Sequence, residues 1–213
     1  MNHTIAATTH GRYLVDSPAG EGPFPMLVGF HGYAEGADAM MQELVRIRGA
    51  LPWLLVSVQA LNRFYAKGGA VVASWMTRED RELAMADNIA YVTSVVGEVR
   101  TQHRTTSTLV YAGFSQGVAM AYRAAAFAGP AAGGIMLAGD VPPDVVPRLA
   151  SLPPVLLGRG TTDDWYTGEK AAADLALYAD AGITPLVHVF AGGHVWDGSF
   201  VAAAHDFLEH LNR

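Results

Sequence analysis

The chain has 213 residues, with 14 Lys+Arg against 20 Asp+Glu and a formal net charge of −6. Its only lysines are Lys67 and Lys170 and it has no basic run, which excludes a nucleic-acid partner recognised through its phosphates. The absence of cysteine excludes disulfides, thiolate metal sites and a cysteine nucleophile, while an apolar content of 51% implies a well-filled core.

The length fits one domain, residues 1–213. The first residues, MNHTIAATTHGRY, lack a basic region followed by an apolar run, so no signal peptide is expected. The most apolar long stretch, 124–139, is rich in Ala and Gly and is broken by Pro130, so no stable membrane insertion is expected. These features fit a cytoplasmic protein. A mean hydropathy of +0.20 is compatible with an exposed apolar patch and a homodimer.

In chain order, residues 5–15 could form an antiparallel hairpin turning at His10-Gly11. Six short apolar runs follow: 25–30 (PMLVGF), 53–58 (WLLVSV), 108–114 (TLVYAGF), 134–137 (GIML), 154–157 (PVLL) and 185–190 (PLVHVF). Continuous runs without alternation predict strands buried on both faces. Between them, helical spacing predicts helices over 37–48, 82–100, 116–127, 168–181 and 199–211. The alternation predicts an α/β fold: a mostly parallel central sheet with helices on both faces. Residues 60–81 show no clear period and read as a long loop, whose aromatics either cap the core or contact a ligand. The interval 138–154 is too short for an inserted lid, so a cap domain is minimal or missing.

The pentapeptide Gly113-Phe114-Ser115-Gln116-Gly117 matches G-x-S-x-G. Alone the pattern is weak, but here it ends an apolar strand and opens a helix. A strand-to-helix turn that tight needs small residues around the serine, whose hydroxyl it leaves exposed in strained geometry. The free N–H groups of the helix start favour a developing oxyanion. Ser115 is thus the candidate nucleophile, and a serine hydroxyl needs a base. Among eight histidines, His194 lies in AGGHVW (191–196), in a loop after the last strand, where ligands collect in α/β folds. His188 reads as a packed strand residue with a local partner, and His205 and His210 as surface residues of the last helix. The base needs a carboxylate to orient it. Asp163 and Asp164, after the fifth apolar run, and Asp140, after the fourth, are all candidates. With Asp163 or Asp164 the chain order is Ser, Asp, His, as in α/β-hydrolases. Two backbone N–H groups, those of Gln116 and Tyr33, are the candidate oxyanion hole. His31 reads as a residue orienting the loop after the first central strand rather than as a base. His31, Trp75 and Trp165 are the candidate substrate contacts.

Taken together, FHGYAEGAD (30–38), GFSQG (113–117), GRGTTDD (158–164) and AGGHVW (191–196) resemble the phospholipase/carboxylesterase group of α/β-hydrolases, which includes acyl-protein thioesterases. The resemblance covers nearly the whole chain. It selects Asp163 over Asp164 and Asp140, because the third motif of that family runs HG-x-x-D. It implies an α/β-hydrolase fold and a serine esterase or thioesterase that needs neither metal nor organic cofactor, acting on a small-molecule acyl ester or thioester. The chain departs from the family at Arg159, where histidine is usual, at Ala34, where a second glycine is common, and at Asp140, which follows LAG rather than SG. The same triad would also serve a lactonase, a deacetylase or an acyltransferase, and a non-catalytic ligand-binding protein could keep the fold.

Overall fold

The computed structural model describes residues 3–211. A seven-stranded sheet in the order β1-β3-β2-β6-β7-β8-β9 forms its centre. The strands are β1 (Arg12–Asp16), β2 (Phe24–Phe30), β3 (Leu54–Gln59), β6 (Thr105–Phe114), β7 (Gly133–Leu137), β8 (Val155–Gly160) and β9 (Leu186–Phe190). All pairings are parallel except that of β1 with β3. Among the described residues the five α-helices are α1 (Ala37–Arg48), α2 (Arg81–Gln102), α3 (Gln116–Phe127), α4 (Gly168–Asp180) and α5 (Gly198–Leu211).

The pleat sorts each central strand between two cores. Met26, Val28 and Phe30 of β2, with Leu54, Val56 and Val58 of β3, pack with Val92, Val96 and Val99 of α2 and Val118 and Ala121 of α3. Leu27 and Leu55 point the other way, into a core shared with Leu44 and Ile47 of α1 and Phe200 and Phe207 of α5. Apolar residues therefore occupy successive positions in these strands, because both faces are covered. Gly29 lies where α1 comes closest. A Cβ there would meet the side chains of Met40 and Leu44 at 2.7–2.9 Å.

Two sequence expectations need correction. Residues 5–15 do not form a hairpin. Only Arg12–Asp16 is a strand, and it finds its antiparallel partner in β3 rather than in its own neighbours. Nor is 60–81 an irregular loop. It carries β4 (Asn62–Tyr65) and β5 (Val71–Ser74), paired antiparallel around the Lys67-Gly68-Gly69 turn, with an extra bridge from Glu35 to Ala73. Aromatic Phe64 and Tyr65 opposite β-branched Val72 and Val71 supply the pairing preference. The expectation of strands covered on both faces fails at β9, an edge strand that exposes Leu186, Val187 and Val189. No helix among the described residues is long and apolar enough to cross a membrane.

The connections set the position of the site. From β2 the chain moves through α1 to β3 on one side, then returns through α2 to β6 on the other side of β2. The strand order thus reverses between β2 and β6, so the loops leaving their carboxyl ends diverge and open a crevice. Residues 31–36 and the turn at Ser115 flank it.

Two turns into α3, buried Arg123 donates from Nε and from one terminal nitrogen to the two carboxylate oxygens of Asp144, both at 2.8 Å. The pair ties α3 to the segment after β7. The hydrogen bond from Arg123 holds the Asp144 carboxyl below its ordinary range, with Arg81 adding to the effect. A depressed carboxyl contributes stability above its unfolded pKa and loses it as pH falls through the folded one. Asp144→Asn is expected to destabilise the protein by about 2–3 kcal/mol at neutral pH, since it strands a buried guanidinium. The gap in melting temperature between variant and wild type should narrow as pH falls below about 4, where wild-type Asp144 takes up its proton. A gap independent of pH would contradict this account.

Candidate active site

Strand β6 ends at Phe114 and α3 begins at Gln116, so a single residue makes the turn. That residue, Ser115, has φ 53° and ψ −119°, in the left-handed half of conformational space that non-glycine residues avoid. Its N–H donates to Leu137 O at 2.9 Å, and its C=O accepts from Val118 N–H at 3.0 Å. Holding a serine there costs on the order of 1–3 kcal/mol, sustained by packing around it. The flanking glycines are sterically required. A Cβ on Gly113 would lie 2.7 Å from Val118 Cα and against the Gly117 carbonyl. One on Gly117 would lie 2.6 Å from His31 O and against Phe30 O. The helix start therefore packs directly on the end of β2.

The loop after β2 is pinned by buried polar contacts. His31 Nε2 accepts from Ala60 N–H at 3.1 Å, which makes Nδ1 the protonated nitrogen, and Nδ1 donates to Gly32 O at 2.7 Å. Burial pushes the His31 pKa down, in keeping with this neutral ring. His31 is fully buried with both nitrogens engaged, so its expected role as a substrate contact is corrected: it holds the loop. Trp75 is similar. It is 2% exposed, donates from its indole nitrogen to His31 O at 2.9 Å and packs edge-on to Phe30, leaving only a sliver of surface on the cleft.

The N–H groups of Tyr33 and Gln116 donate to no other group among the described residues. Ala34, next to Tyr33, has φ 58°, a conformation that favours the glycine common in the resembled family. The Tyr33 ring is 61% exposed and faces Phe64 at 5.6 Å, lining an adjoining groove rather than the Ser115 cleft.

Across the cleft, Asp163 is buried after β8. Its Oδ1 accepts from Trp165 N–H and Tyr166 N–H, and its Oδ2 from His194 Nδ1, all at 2.8 Å. A carboxylate only accepts, so His194 carries its proton on Nδ1 and leaves Nε2 free. The His194 ring sits between Phe114 at 4.9 Å and Trp165 at 6.5 Å. The rivals are elsewhere: Asp164 is exposed, and Asp140 pairs with Lys170 at 3.6 Å. His188 bonds Ser199 Oγ at 2.9 Å, while His205 and His210 bond Ile47 O and Asp206 O. Ser115, Gln116, His194, Trp75 and Trp165 line one cleft of about 480 Å³. Trp165, 75% exposed, stands at its mouth. Among the described residues no hydrogen bond joins Ser115 Oγ to His194, a looseness common before substrate binds.

Two contributors escaped the sequence reading. The Gln116 side chain accepts from Trp75 N–H at 2.9 Å and donates to Ser74 Oγ at 3.1 Å, tying the β4–β5 hairpin to the nucleophile turn. Glu35 Oε2 accepts from Gly32 N–H at 2.8 Å. Burial pushes its carboxyl up, against the opposing pull of that hydrogen bond and of His194. Its position in FHGYAEGAD was the only available signal.

No protein-family model matches the chain, and no curated protein matches its sequence. Solved structures match along nearly its whole length. Esterase PE8 is 24% identical, with 94% of this chain and 98% of that one covered and a TM-score of 0.73. Acyl-protein thioesterase 2 of Zea mays is 21% identical, with 95% and 99% covered and a TM-score of 0.72. A Bacillus cereus carboxylesterase is 15% identical, with 94% of each chain covered and a TM-score of 0.73. The chain has the α/β-hydrolase fold that these esterases and thioesterases share.

The close approach of α3 to β2 makes Gly117→Ala a stringent test. With backbone as the obstacle, the variant is expected to lose about 3 kcal/mol or more, or roughly 6–12 °C in melting temperature, read by thermal denaturation. A wild-type melting curve would refute the packing described.

Proposed function

We propose that the chain is a one-domain serine hydrolase that cleaves carboxylic esters or thioesters of small molecules through an acyl-enzyme on Ser115. The observation that carries this reading is the 2.8 Å contact of buried Asp163 with His194 on the cleft that Ser115 also lines. Supporting it are the strained φ of Ser115 and the two free N–H groups at Tyr33 and Gln116. The likeness of the fold to carboxylesterases and an acyl-protein thioesterase is consistent with it.

His194 Nε2 takes the hydroxyl proton as Ser115 Oγ bonds to the carbonyl carbon. The carbonyl oxygen becomes an oxyanion held by the N–H groups of Tyr33 and Gln116, and Asp163 stabilises the imidazolium. His194 then protonates the departing alcohol or thiol. In the second half a water loses its proton to His194 and attacks the acyl carbon, releasing the acid and restoring Ser115. Trp165, at the cleft mouth, is the remaining candidate for substrate contact.

A fluorophosphonate probe should label wild-type protein at Ser115 and leave Ser115→Ala unlabelled. With aryl esters as substrate, Ser115→Ala and His194→Ala should each lower kcat about 10⁶-fold, and Asp163→Ala about 10⁴-fold. Equal turnover by wild type and Ser115→Ala would overturn the proposal. A panel of one acyl group as oxygen ester, thioester and lactone separates the leaving-group classes.

A further inference from the structure

The wall of the cleft beyond Ser115 is charged in a way the acyl-transfer chemistry does not use. Arg78, Arg81, Arg123 and Lys170 line it, against a single carboxylate, Asp140. Counting Asp144 behind Arg123, an excess of two positive charges remains. This sits in a chain whose formal net charge is −6.

Three features mark the excess as built for a ligand. First, Arg123 has a side chain only 3% exposed, and Asp144 engages its Nε and one terminal nitrogen. The other terminal nitrogen has no hydrogen-bond partner among the described residues, on a side chain that lines the cleft. Arg123 lies eight residues along α3 from Ser115, in step with Ala119, so the three share one helix face over about 12 Å. Second, Arg78 and Arg81 form no ion pair among the described residues. Arg81 is moreover the first residue of α2, where the helix dipole disfavours a cation. Third, the segment segregates its charges. Arg78 and Arg81 line the Ser115 cleft, whereas Glu79 and Asp80 line a separate groove with His3 and Asp87.

We propose that the ester or thioester taken by this site carries an anionic group, a carboxylate, phosphate or sulfate, held by Arg78, Arg81 and the free nitrogen of Arg123. This rests on the hydrolase reading above and narrows its substrate class. The anion sits several bonds from the scissile carbonyl, because Arg123 is two helical turns from Ser115. Lys170, already donating to Trp165 O at 2.8 Å and facing Asp140, belongs to the opposite wall. The same positive field would speed the arrival of such a substrate and weaken with salt.

The test compares matched substrates. In the acyl arm, the mono-p-nitrophenyl esters of succinic, adipic and suberic acid are set against their neutral methyl-ester counterparts. In the leaving-group arm, the acetate ester of 4-hydroxybenzenesulfonate is set against phenyl acetate. In at least one arm the anionic member is expected to have a kcat/KM about tenfold or more above its neutral partner. That ratio should fall at least about tenfold in Arg78→Gln/Arg81→Gln and shrink as NaCl is raised from about 0.02 to 0.5 M. Arg100→Gln removes an equal charge about 28 Å away along α2 and should leave the ratio unchanged. Ratios near one in both arms, or a preference that survives the double variant, would overturn the proposal. If no ester is turned over, the hydrolase reading fails by itself. Titration of Ser115→Ala with monomethyl suberate against dimethyl suberate then still decides the anion site. Tighter binding of the monoester, lost with Arg78 and Arg81, supports it, and equal binding refutes it.

Discussion

Everything at the centre of this molecule depends on two missing methyl groups. Gly113 and Gly117 allow the first turn of α3 to rest on backbone atoms at the end of β2, with no side chain between. That contact forces the single connecting residue into a left-handed conformation, with its side chain on the cleft. It also brings the loop after β2 beside the start of α3, so two backbone donors from segments more than eighty residues apart fall in one neighbourhood. The strain at Ser115 is held by elements that are themselves fixed: β6 lies in mid-sheet, and α3 is buried along most of its length.

Around this turn the polar groups divide into two kinds. Those that set positions are occupied: His31 with both nitrogens bonded, the Gln116 amide spanning Ser74 and Trp75, and Asp163 accepting three hydrogen bonds. Those suited to chemistry keep one valence open: His194 at Nε2, and Tyr33 and Gln116 at their N–H groups. Occupied groups cannot turn toward a substrate, and open ones can. The division explains why His31, with a histidine's full repertoire, is structural here, while His194 keeps Nε2 unbonded on the cleft.

The strand and helix order was legible in the sequence because apolar runs and helical spacing survive without knowledge of partners. The six central runs and five helices appear within a few residues of where the periodicity puts them. What was hidden is what depends on distant pairing. Arg12–Asp16 is a strand only because β3 offers a free edge, and the β4–β5 hairpin has no alternation to betray it. PLVHVF reads like a buried strand, but the sheet simply ends there. At the site, the turn and loop contexts pointed to Ser115 and His194, and the fold puts both on one cleft. Strand context alone left Asp140, Asp163 and Asp164 open, because all three follow strands; the family resemblance selected Asp163, and it is Asp163 that the fold brings to His194. The arginines of the cleft gave no local signal, since their meaning lies in what faces them, and Glu35 gave only its place in FHGYAEGAD.

The exposed edge at β9 bears on how the molecule fails when heated. The loop that carries His194 hangs from the end of this outermost strand, whereas Ser115 is anchored at mid-sheet. An outer strand with one paired side and a bare apolar face is among the first parts of a sheet to open. Transient fraying there would withdraw the imidazole while the serine, its strained turn and most of the core stayed intact. Thermal inactivation would then precede melting and reverse on cooling, with the bared Leu186, Val187 and Val189 offering a seed for irreversible clumping if cooling came too late.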